Sequence, residues 1–191
     1  AKFVRGIAPR ATLVSGYVPV VGTDEKFRSG FTIRAEKCPN QRGVKRVIES
    51  FGGASLAFDE FVAQSSKFRA AYVVGGYPGE WVNDAVVQAM SRIQTLMIHD
   101  LFMSKLWDSA VLVVPGASWA EREGAFMNCD GLLQTFERAI QPLDGVKFDG
   151  QFFHELAGES GMFRASKVRQ AMAAAIPEMA VPFVPRAEPK Y

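Results

Sequence analysis

The middle of the chain alternates short apolar runs with segments of helical periodicity. Apolar runs at Ala70–Val74, residues 95–98 and residues 110–114 are typical of buried strands. Residues 78–93 between the first two runs predict a helix, with an apolar face of Val82, Val86, Ala89, Met90 and Ile93. Continuous apolar strands separated by helices predict an α/β fold, a doubly wound and mainly parallel sheet with helices on both faces.

The flanking patterns predict three regions. Residues 1–35 read as a lead-in segment from a preceding domain or strand pair, with short strands at 11–14 and 18–21. Residues 36–176 form the α/β domain, and four prolines within residues 177–191 predict an extended tail. Within the domain, further elements are predicted at residues 40–52, 59–66, 103–107 and 165–175 (helical), 119–123 (one turn), 124–128 and 133–138 (extended) and after Asp149 (helical).

Composition and charge exclude several classes of protein. The formal net charge is +2 and 48% of the residues are hydrophobic, which is typical of a globular domain that needs neither nucleic acid nor a membrane as partner. No apolar run approaches the roughly 18 residues that a membrane-spanning helix requires. The first residues lack Met and do not form a signal peptide. We therefore expect a cytoplasmic location, compatible with a peripheral position on a membrane complex, for a chain that begins inside a longer polypeptide.

Few side chains suggest redox or catalytic chemistry. Cys38 and Cys129 form no CxxC motif, and His99 and His154 have no metal-ligand spacing, so neither a metal, an iron–sulfur cluster nor a disulfide framework is expected. His99 and Asp100 are adjacent on a predicted strand and point in opposite directions, so they cannot form a dyad by themselves. Dinucleotide, P-loop and serine-hydrolase motifs are absent. No catalytic residue is assigned.

The carboxyl ends of the predicted strands are the expected place for a ligand. These ends carry Gly75-Gly76, Asp100 and Pro115-Gly116. Glycine at such a position either admits a ligand or merely turns the chain, and the pattern leaves both interpretations open. Farther on, Glu121 and Glu123 flank Arg122, where a solvated run of charges is expected.

Residues 110–134 resemble a pattern of the molybdopterin oxidoreductase superfamily, "ADVVLP … E-x-x-G-T-F-x-N-x-E-G-R-x-Q". The matching positions are Ala110, Pro115, Glu121, Gly124, Phe126, Asn128, Gly131 and Gln134. Other segments are similar to further motifs of the same superfamily: Asp100, Phe102 and Ser104 to "D-x-F-x-T", Pro39-Asn40 with Gly43 to "N-x-x-G", and residues 142–161 to "P-x-G-x-x-x-D-W…L-A-x-x-L-G". The resemblance covers most of residues 35–161.

The departures from this pattern concern polar side chains. Val111, Ala125, Leu132 and Leu106 stand where the superfamily has Asp, Thr, Arg and Thr. A pterin-dinucleotide pocket needs donors and charge to hold its phosphates, so these losses weaken the case for binding. The chain therefore resembles most the C-terminal part of the large iron–sulfur subunit of NADH:quinone oxidoreductase (complex I), where this domain keeps the fold without a molybdenum cofactor.

The complex I resemblance implies a structural domain of a multisubunit electron-transfer oxidoreductase. It implies no redox centre in this chain, iron–sulfur clusters elsewhere in the subunit, and other subunits or domains as partners. Vestigial cofactor-binding positions would then be Gly75, Gly76, Asp100, Glu121, Gly124, Asn128 and Gln134. We expect Trp119, Phe126 and Leu132 to fill the former cleft. Asn128 and Gln134 should bond to backbone within their loop.

Two alternatives remain open from the sequence. In the first, the segment forms part of the cofactor cleft of a molybdopterin enzyme such as a formate dehydrogenase, and the same seven residues face a molybdopterin dinucleotide. In the second, the chain is a free-standing binder of a small ligand. An open polar cavity between Gly75, Asp100 and Asn128 would favour a working cofactor site.

Overall fold

The computed structural model describes residues 1–38 and 40–180. Within this part of the chain, no helix is long and apolar enough to cross a membrane. The helices and strands, in chain order, are α1 (Lys2–Ile7), β1 (Leu13–Val14), β2 (Glu25–Lys26), β3 (Thr32–Ile33), α2 (Gln41–Phe51), β4 (Ser55–Leu56), α3 (Phe58–Ala63), β5 (Ala70–Val74), α4 (Asp84–Met90), β6 (Thr95–Asp100), β7 (Leu112–Pro115), β8 (Gly124–Met127), β9 (Leu133–Phe136), α5 (Asp149–Leu156) and α6 (Ala165–Ala175). Short 3₁₀ turns occupy Ser65–Lys67, Lys105–Ser109, Trp119–Glu121 and Pro177–Met179.

The predicted parallel sheet is confirmed. Strands β5, β6 and β7 lie side by side in that order, and both pairings are parallel. Ala70 pairs with Thr95 at one end, and Asp100 pairs with Pro115 at the other. The carboxyl ends of the strands therefore share one edge, which we call the strand-end region.

Helices cover both faces of this sheet, as predicted. On one face, Leu96 and Ile98 are buried against Val86 and Met90 of α4 in the main core. Side chains of neighbouring strand positions point to the other face. There the ring of His99 lies 5.3 Å from that of Phe152 in α5. The architecture is thus doubly wound α/β.

A second, smaller core joins distant parts of the chain. Met127 and Leu133 of the β8–β9 hairpin are buried with Ile176 and Met179, and Val47 of α2 packs against them. The prediction of an extended tail from residue 177 is wrong for Pro177–Met179, which form a 3₁₀ turn. Proline is tolerated at the first helical position because that position needs no N–H donor. The remainder of the predicted tail, residues 181–191, lies outside the described residues.

Some boundaries differ from the predicted ones. Helix α4 begins only at Asp84, because the side chain of Asn83 accepts a hydrogen bond from the N–H of Val86 and caps the helix there. In the lead-in segment, α1 was not predicted. The strand expected at residues 18–21 is reduced to a single bridge between Val20 and Glu36.

Candidate functional site

Asp100 organises the strand-end region. Its carboxylate accepts hydrogen bonds from the backbone N–H groups of Gly76 (2.8 Å) and Leu101 (2.7 Å) and from the indole N–H of Trp81 (3.1 Å). The side chain is buried, with 3% of its surface exposed. Three donors satisfy a buried carboxylate without any external partner. Asp100 therefore stabilises the loops that follow β5 and β6.

The two glycines after β5 serve this arrangement in different ways. A Cβ atom added to Gly75 would overlap the carboxylate of Asp100, so the absence of a side chain makes room for that acid. Gly76 has a φ of +125°, a backbone conformation that L side chains rarely adopt. Both observations explain the glycine pair without a ligand.

His99, on the opposite face from Asp100, is also bonded within the protein. Its Nε2 lies 2.8 Å from the carbonyl oxygen of Lys147, and its Nδ1 lies 3.2 Å from the hydroxyl of Tyr72. Donation from Nε2 to the carbonyl leaves Nδ1 to accept from the tyrosine. Burial, followed by the nearby charge of Asp149, raises the pKa of Tyr72 to about 12. The arrangement is structural and gives no acid–base dyad with Asp100.

The glutamates of the motif region bond to backbone N–H groups at the starts of two helical segments, the 3₁₀ turn Trp119–Glu121 and helix α6. The carboxylate of Glu121 accepts a hydrogen bond from the N–H of Ser118 at 2.7 Å, and that of Glu123 accepts one from the N–H of Ala165 at 2.6 Å. Both residues are only partly exposed. The expectation of a solvated charge run is therefore wrong, because unbonded N–H groups at helix starts recruit these acids. Arg122 pairs with Asp149 of α5.

Asn128 shapes the loop between β8 and β9. Its side-chain oxygen accepts hydrogen bonds from the N–H groups of Asp130 and Leu132, each at 2.9 Å. Gly131 within this turn has a φ of +87°. The prediction that Asn128 bonds to backbone inside its loop is confirmed. Gln134 instead lies on an exposed position of β9.

A groove of about 530 Å³ lies beside this loop. One wall comes from residues 34, 36–38, 41 and 42, and the other comes from residues 127–129. The side-chain oxygen of Asn40 joins the two walls by accepting a hydrogen bond from the N–H of Met127 at 2.9 Å. A Cβ added to Gly43 would lie 3.3 Å from that of Met127, so this glycine allows α2 to approach β8 closely.

The groove carries an excess of positive charge. Arg34, Lys37 and Arg42 line it together with one acid, Glu36. The side-chain amide of Gln41 lies 2.8 Å from the carboxylate of Glu36, a distance at which its N–H groups can donate. Hydrogen bonding to Cys129, followed by the charge of that residue, raises the pKa of the Arg34 guanidinium. The groove thus offers cationic donors to an anion, whereas the amide of Gln41 is directed at Glu36.

The seven predicted site residues do not share one cleft. Gly75, Gly76 and Asp100 meet in the strand-end region, Glu121 caps a turn, Gly124 makes room for the ring of Phe136, Asn128 lines the groove, and Gln134 faces outward. A role of any of them in cofactor binding stays a prediction. The groove is not the cavity anticipated between Gly75, Asp100 and Asn128, because its walls contain neither of the first two.

The expected filling of the former cleft is wrong for two of the three side chains. Trp119 is 62% exposed and Leu132 is 52% exposed, while Phe126 packs on Phe136 with ring centroids 4.7 Å apart. The sequence analysis also did not predict the cationic side chains of the groove as site residues. Their position beside Asn40 and Gly43, which match a superfamily motif, was the sequence signal that could have identified them. Among residues 1–38 and 40–180, no group of three or more His, Cys, Asp or Glu side chains could hold a metal ion.

Comparison with known proteins agrees with the motif. A sequence profile of the molybdopterin oxidoreductase family matches residues 41–159. Formate dehydrogenase H of Escherichia coli is 33% identical over 101 residues, which are 52% of this chain and 14% of that protein. The alpha subunit of F420-dependent formate dehydrogenase 1 of Methanococcus maripaludis is 28% identical over 136 residues, or 65% of this chain and 20% of that subunit. The alpha subunit of the NADPH-Fe(3+) oxidoreductase of Geobacter sulfurreducens is 24% identical over 123 residues, or 61% and 15%.

These relatives define the family but not the branch that the complex I resemblance implied. Their names favour the formate dehydrogenase alternative over NADH:quinone oxidoreductase. The chain spans a fifth or less of the length of each of these three relatives. The matched segment nevertheless covers more than half of this chain, including α2, the parallel sheet and the β8–β9 hairpin. The chain therefore belongs to the molybdopterin oxidoreductase family.

Proposed function

We propose that this chain forms part of the cofactor cleft of an oxidoreductase related to the formate dehydrogenases, with the groove as the surface that faces the cofactor. One observation carries the proposal. Two segments that resemble superfamily motifs, one with Asn40 and Gly43 and the other with Asn128, meet at the same groove although they are far apart in sequence. The names of the relatives support formate as the substrate of the whole enzyme.

The residues of the groove fit a pterin dinucleotide better than those of the strand-end region do. The cofactor carries phosphates, which require cationic or N–H donors. The groove supplies Arg34, Lys37 and Arg42, and its volume of about 530 Å³ falls within the usual range for ligand pockets. In the strand-end region, the buried carboxylate of Asp100 already occupies the donors of Gly76 and Trp81. A phosphate there would meet a negative charge.

Each groove residue then has a role in binding rather than in catalysis. The planar guanidinium groups of Arg34 and Arg42 suit the oxygens of a phosphate, while Lys37 contributes a point charge. The side-chain oxygen of Asn128 is held by its own loop, so its amide nitrogen remains to orient a polar group of the ligand. When bound, the cofactor supplies the oxidation–reduction chemistry. We assign no proton-transferring residue to this chain.

The proposal is tested on the full-length natural polypeptide, purified with whatever subunits accompany it. Molybdenum, tungsten and released pterin are measured by mass spectrometry. We expect a stoichiometric signal from the wild-type protein, a severalfold lower one from Arg42→Met and an intermediate one from Arg42→Lys. Lys167→Met, which removes an exposed charge on α6, is the control and should retain the full signal. Equal cofactor content in Arg42→Met and Lys167→Met would show that the groove is not part of the cofactor-binding site.

A second candidate function is a structural domain without a redox centre. Leu132 favours it, because this side chain stands exposed where the superfamily pattern has an arginine that could bind a phosphate. The wild-type measurement separates the two candidates. A protein that is folded and assembled but contains neither pterin nor molybdenum nor tungsten would contradict the first and support the second.

Partner subunits or domains are proposed under both candidates. Two relatives are named as alpha subunits, and all three relatives compared above are several times longer than the matched region. Phe102, Met103 and Trp119 are exposed by 57%, 80% and 62%, and these apolar side chains follow the ends of β6 and β7. Such exposure is typical of a surface that other chain segments cover. Co-purification of the full-length polypeptide, followed by cross-linking, identifies what covers it.

A further inference from the structure

The two cysteines of the chain line the same groove although they are far apart in sequence. Both are free, with Cys38 half-buried and Cys129 exposed. One contact joins the Cys38 wall to the Cys129 wall: the side-chain oxygen of Asn40 accepts a hydrogen bond from the backbone N–H of Met127 at 2.9 Å. Each cysteine lies two residues from this bond, Cys38 on one wall and Cys129 on the other. The bond therefore brings the two cysteine-bearing segments together at the groove.

We propose that Cys38 and Cys129 form a reversible disulfide across the groove when they meet a peroxide or a low-molecular-weight disulfide. In the peroxide case, the Cys129 sulfur attacks one oxygen, the O–O bond breaks, and a sulfenic acid and one water result. The Cys38 sulfur then attacks the sulfenic sulfur, an S–S bond forms, the S–O bond breaks, and a second water leaves. Two thiols lose two electrons in total, and the peroxide gains them.

Exposure and charge assign the order of the two steps. Cys129 is exposed and lies beside the guanidinium of Arg34, which makes it the sulfur that an oxidant reaches first. Cys38 is less accessible and resolves the intermediate. The bond would tie the loop after β8 to the segment before α2, and it would narrow the groove. This modification does not depend on the groove holding a pterin.

The test is peptide mapping of the full-length natural polypeptide. The native protein is treated with hydrogen peroxide, its remaining thiols are blocked with N-ethylmaleimide, and it is digested with trypsin. We expect peptide 38–42 to be linked to peptide 123–138, with the link absent after reduction. Full alkylation of both cysteines after oxidation, or oxidation of each without a link, would overturn the proposal.

Single variants separate the two roles. In Cys38→Ser, dimedone should trap a sulfenic acid at Cys129, whereas in Cys129→Ser it should trap little at Cys38. Arg34→Met should slow formation of the linked peptides severalfold, while Arg42→Met, which removes another cation of the same groove, should not. Equal rates in these two variants would show that Arg34 plays no part. Equal trapping at both cysteines would contradict the order of steps.

Discussion

The strand-end region and the groove use their polar groups in opposite ways. In the strand-end region, the side chains of His99 and Asp100 are buried and bonded to partners inside the protein. In the groove, Arg34, Lys37 and Arg42 line an open surface with a single acid among them. In the first region the buried polar groups are bonded to one another. In the second, Arg34 faces Asp24 and Lys37 donates to the carbonyl oxygen of Arg34, but the cationic groups stay on an open surface that a ligand can reach. A residue that matches a family motif can thus serve the fold in one place and a ligand in another.

The largest effect should follow from removing the carboxylate of the strand-end region. Asp100→Ala leaves the N–H groups of Gly76, Leu101 and Trp81 without their acceptor, so we expect a loss of about 3 kcal/mol or more in the free energy of unfolding. Asp100→Asn keeps one acceptor oxygen and should lose less. Urea unfolding measures both. A loss below about 1 kcal/mol in Asp100→Ala would mean that this carboxylate is not structural, since surface substitutions rarely exceed that size.

The next effect tests why Gly75 is glycine. Its added Cβ overlaps the carboxylate of Asp100, so Gly75→Ala should cost about 1–3 kcal/mol through overpacking. In the Asp100→Ala background the space is vacant, and the same change should cost little. A double-mutant cycle measures the coupling. Additive losses would show that Asp100 is not the reason for glycine at position 75, and that another requirement, such as a ligand, explains it.

A smaller effect is expected at the groove. Asn128→Ala removes the acceptor for the N–H groups of Asp130 and Leu132 in a partly exposed loop, which should cost about 1 kcal/mol. Hydrogen exchange at these two amides should accelerate while that of β6 remains unchanged. Asn128→Asp keeps the acceptor and serves as the control. Unchanged exchange in Asn128→Ala would mean that Gly131 alone fixes the turn.

The smallest effect appears only at high pH. Burial raises the pKa of Tyr72 from its ordinary value near 10 to about 12, so the unfolded chain releases this proton before the folded protein does. The contribution of the neutral phenol to stability is complete below pH 10 and is lost as the pH rises toward 12. Melting temperatures should therefore fall more steeply for the wild type than for Tyr72→Phe between pH 10 and 12. Parallel curves would contradict the shift.

Local sequence signals predicted the sheet but not all boundaries of its helices. Strands β5, β6 and β7 are nearly continuous apolar runs, and that pattern requires burial on both faces. Helix α4 starts at Asp84 because the side chain of Asn83 caps it there. The apolar periodicity extends farther toward the N-terminus and so predicted an earlier start. Pro177 was interpreted as a helix breaker although it begins a 3₁₀ turn.

The site was harder to predict because its geometry is tertiary. The motif match placed Asp100 and Asn128 on one cleft, yet Asp100 bonds to Trp81 and Asn128 bonds within its own turn. Cys38 and Cys129 line one groove because Asn40 joins the segment before α2 to β8, and no spacing along the chain encodes that arrangement. Sequence patterns locate residues of the same motif in order along the chain, whereas side-chain bonds decide which of them face each other.

The distribution of the two cores along the chain has a consequence for the order of assembly. The main core draws its buried residues from positions 61–106, whereas the smaller core joins Met127 and Leu133 to Met179, with Val47 packed against them. Closing long loops costs entropy before their contacts form, and topologies dominated by distant contacts fold slowly. We therefore expect the parallel sheet to form first and the hairpin to dock on α2 late. The groove would be among the last features to appear during folding and among the first to open when the molecule is warmed.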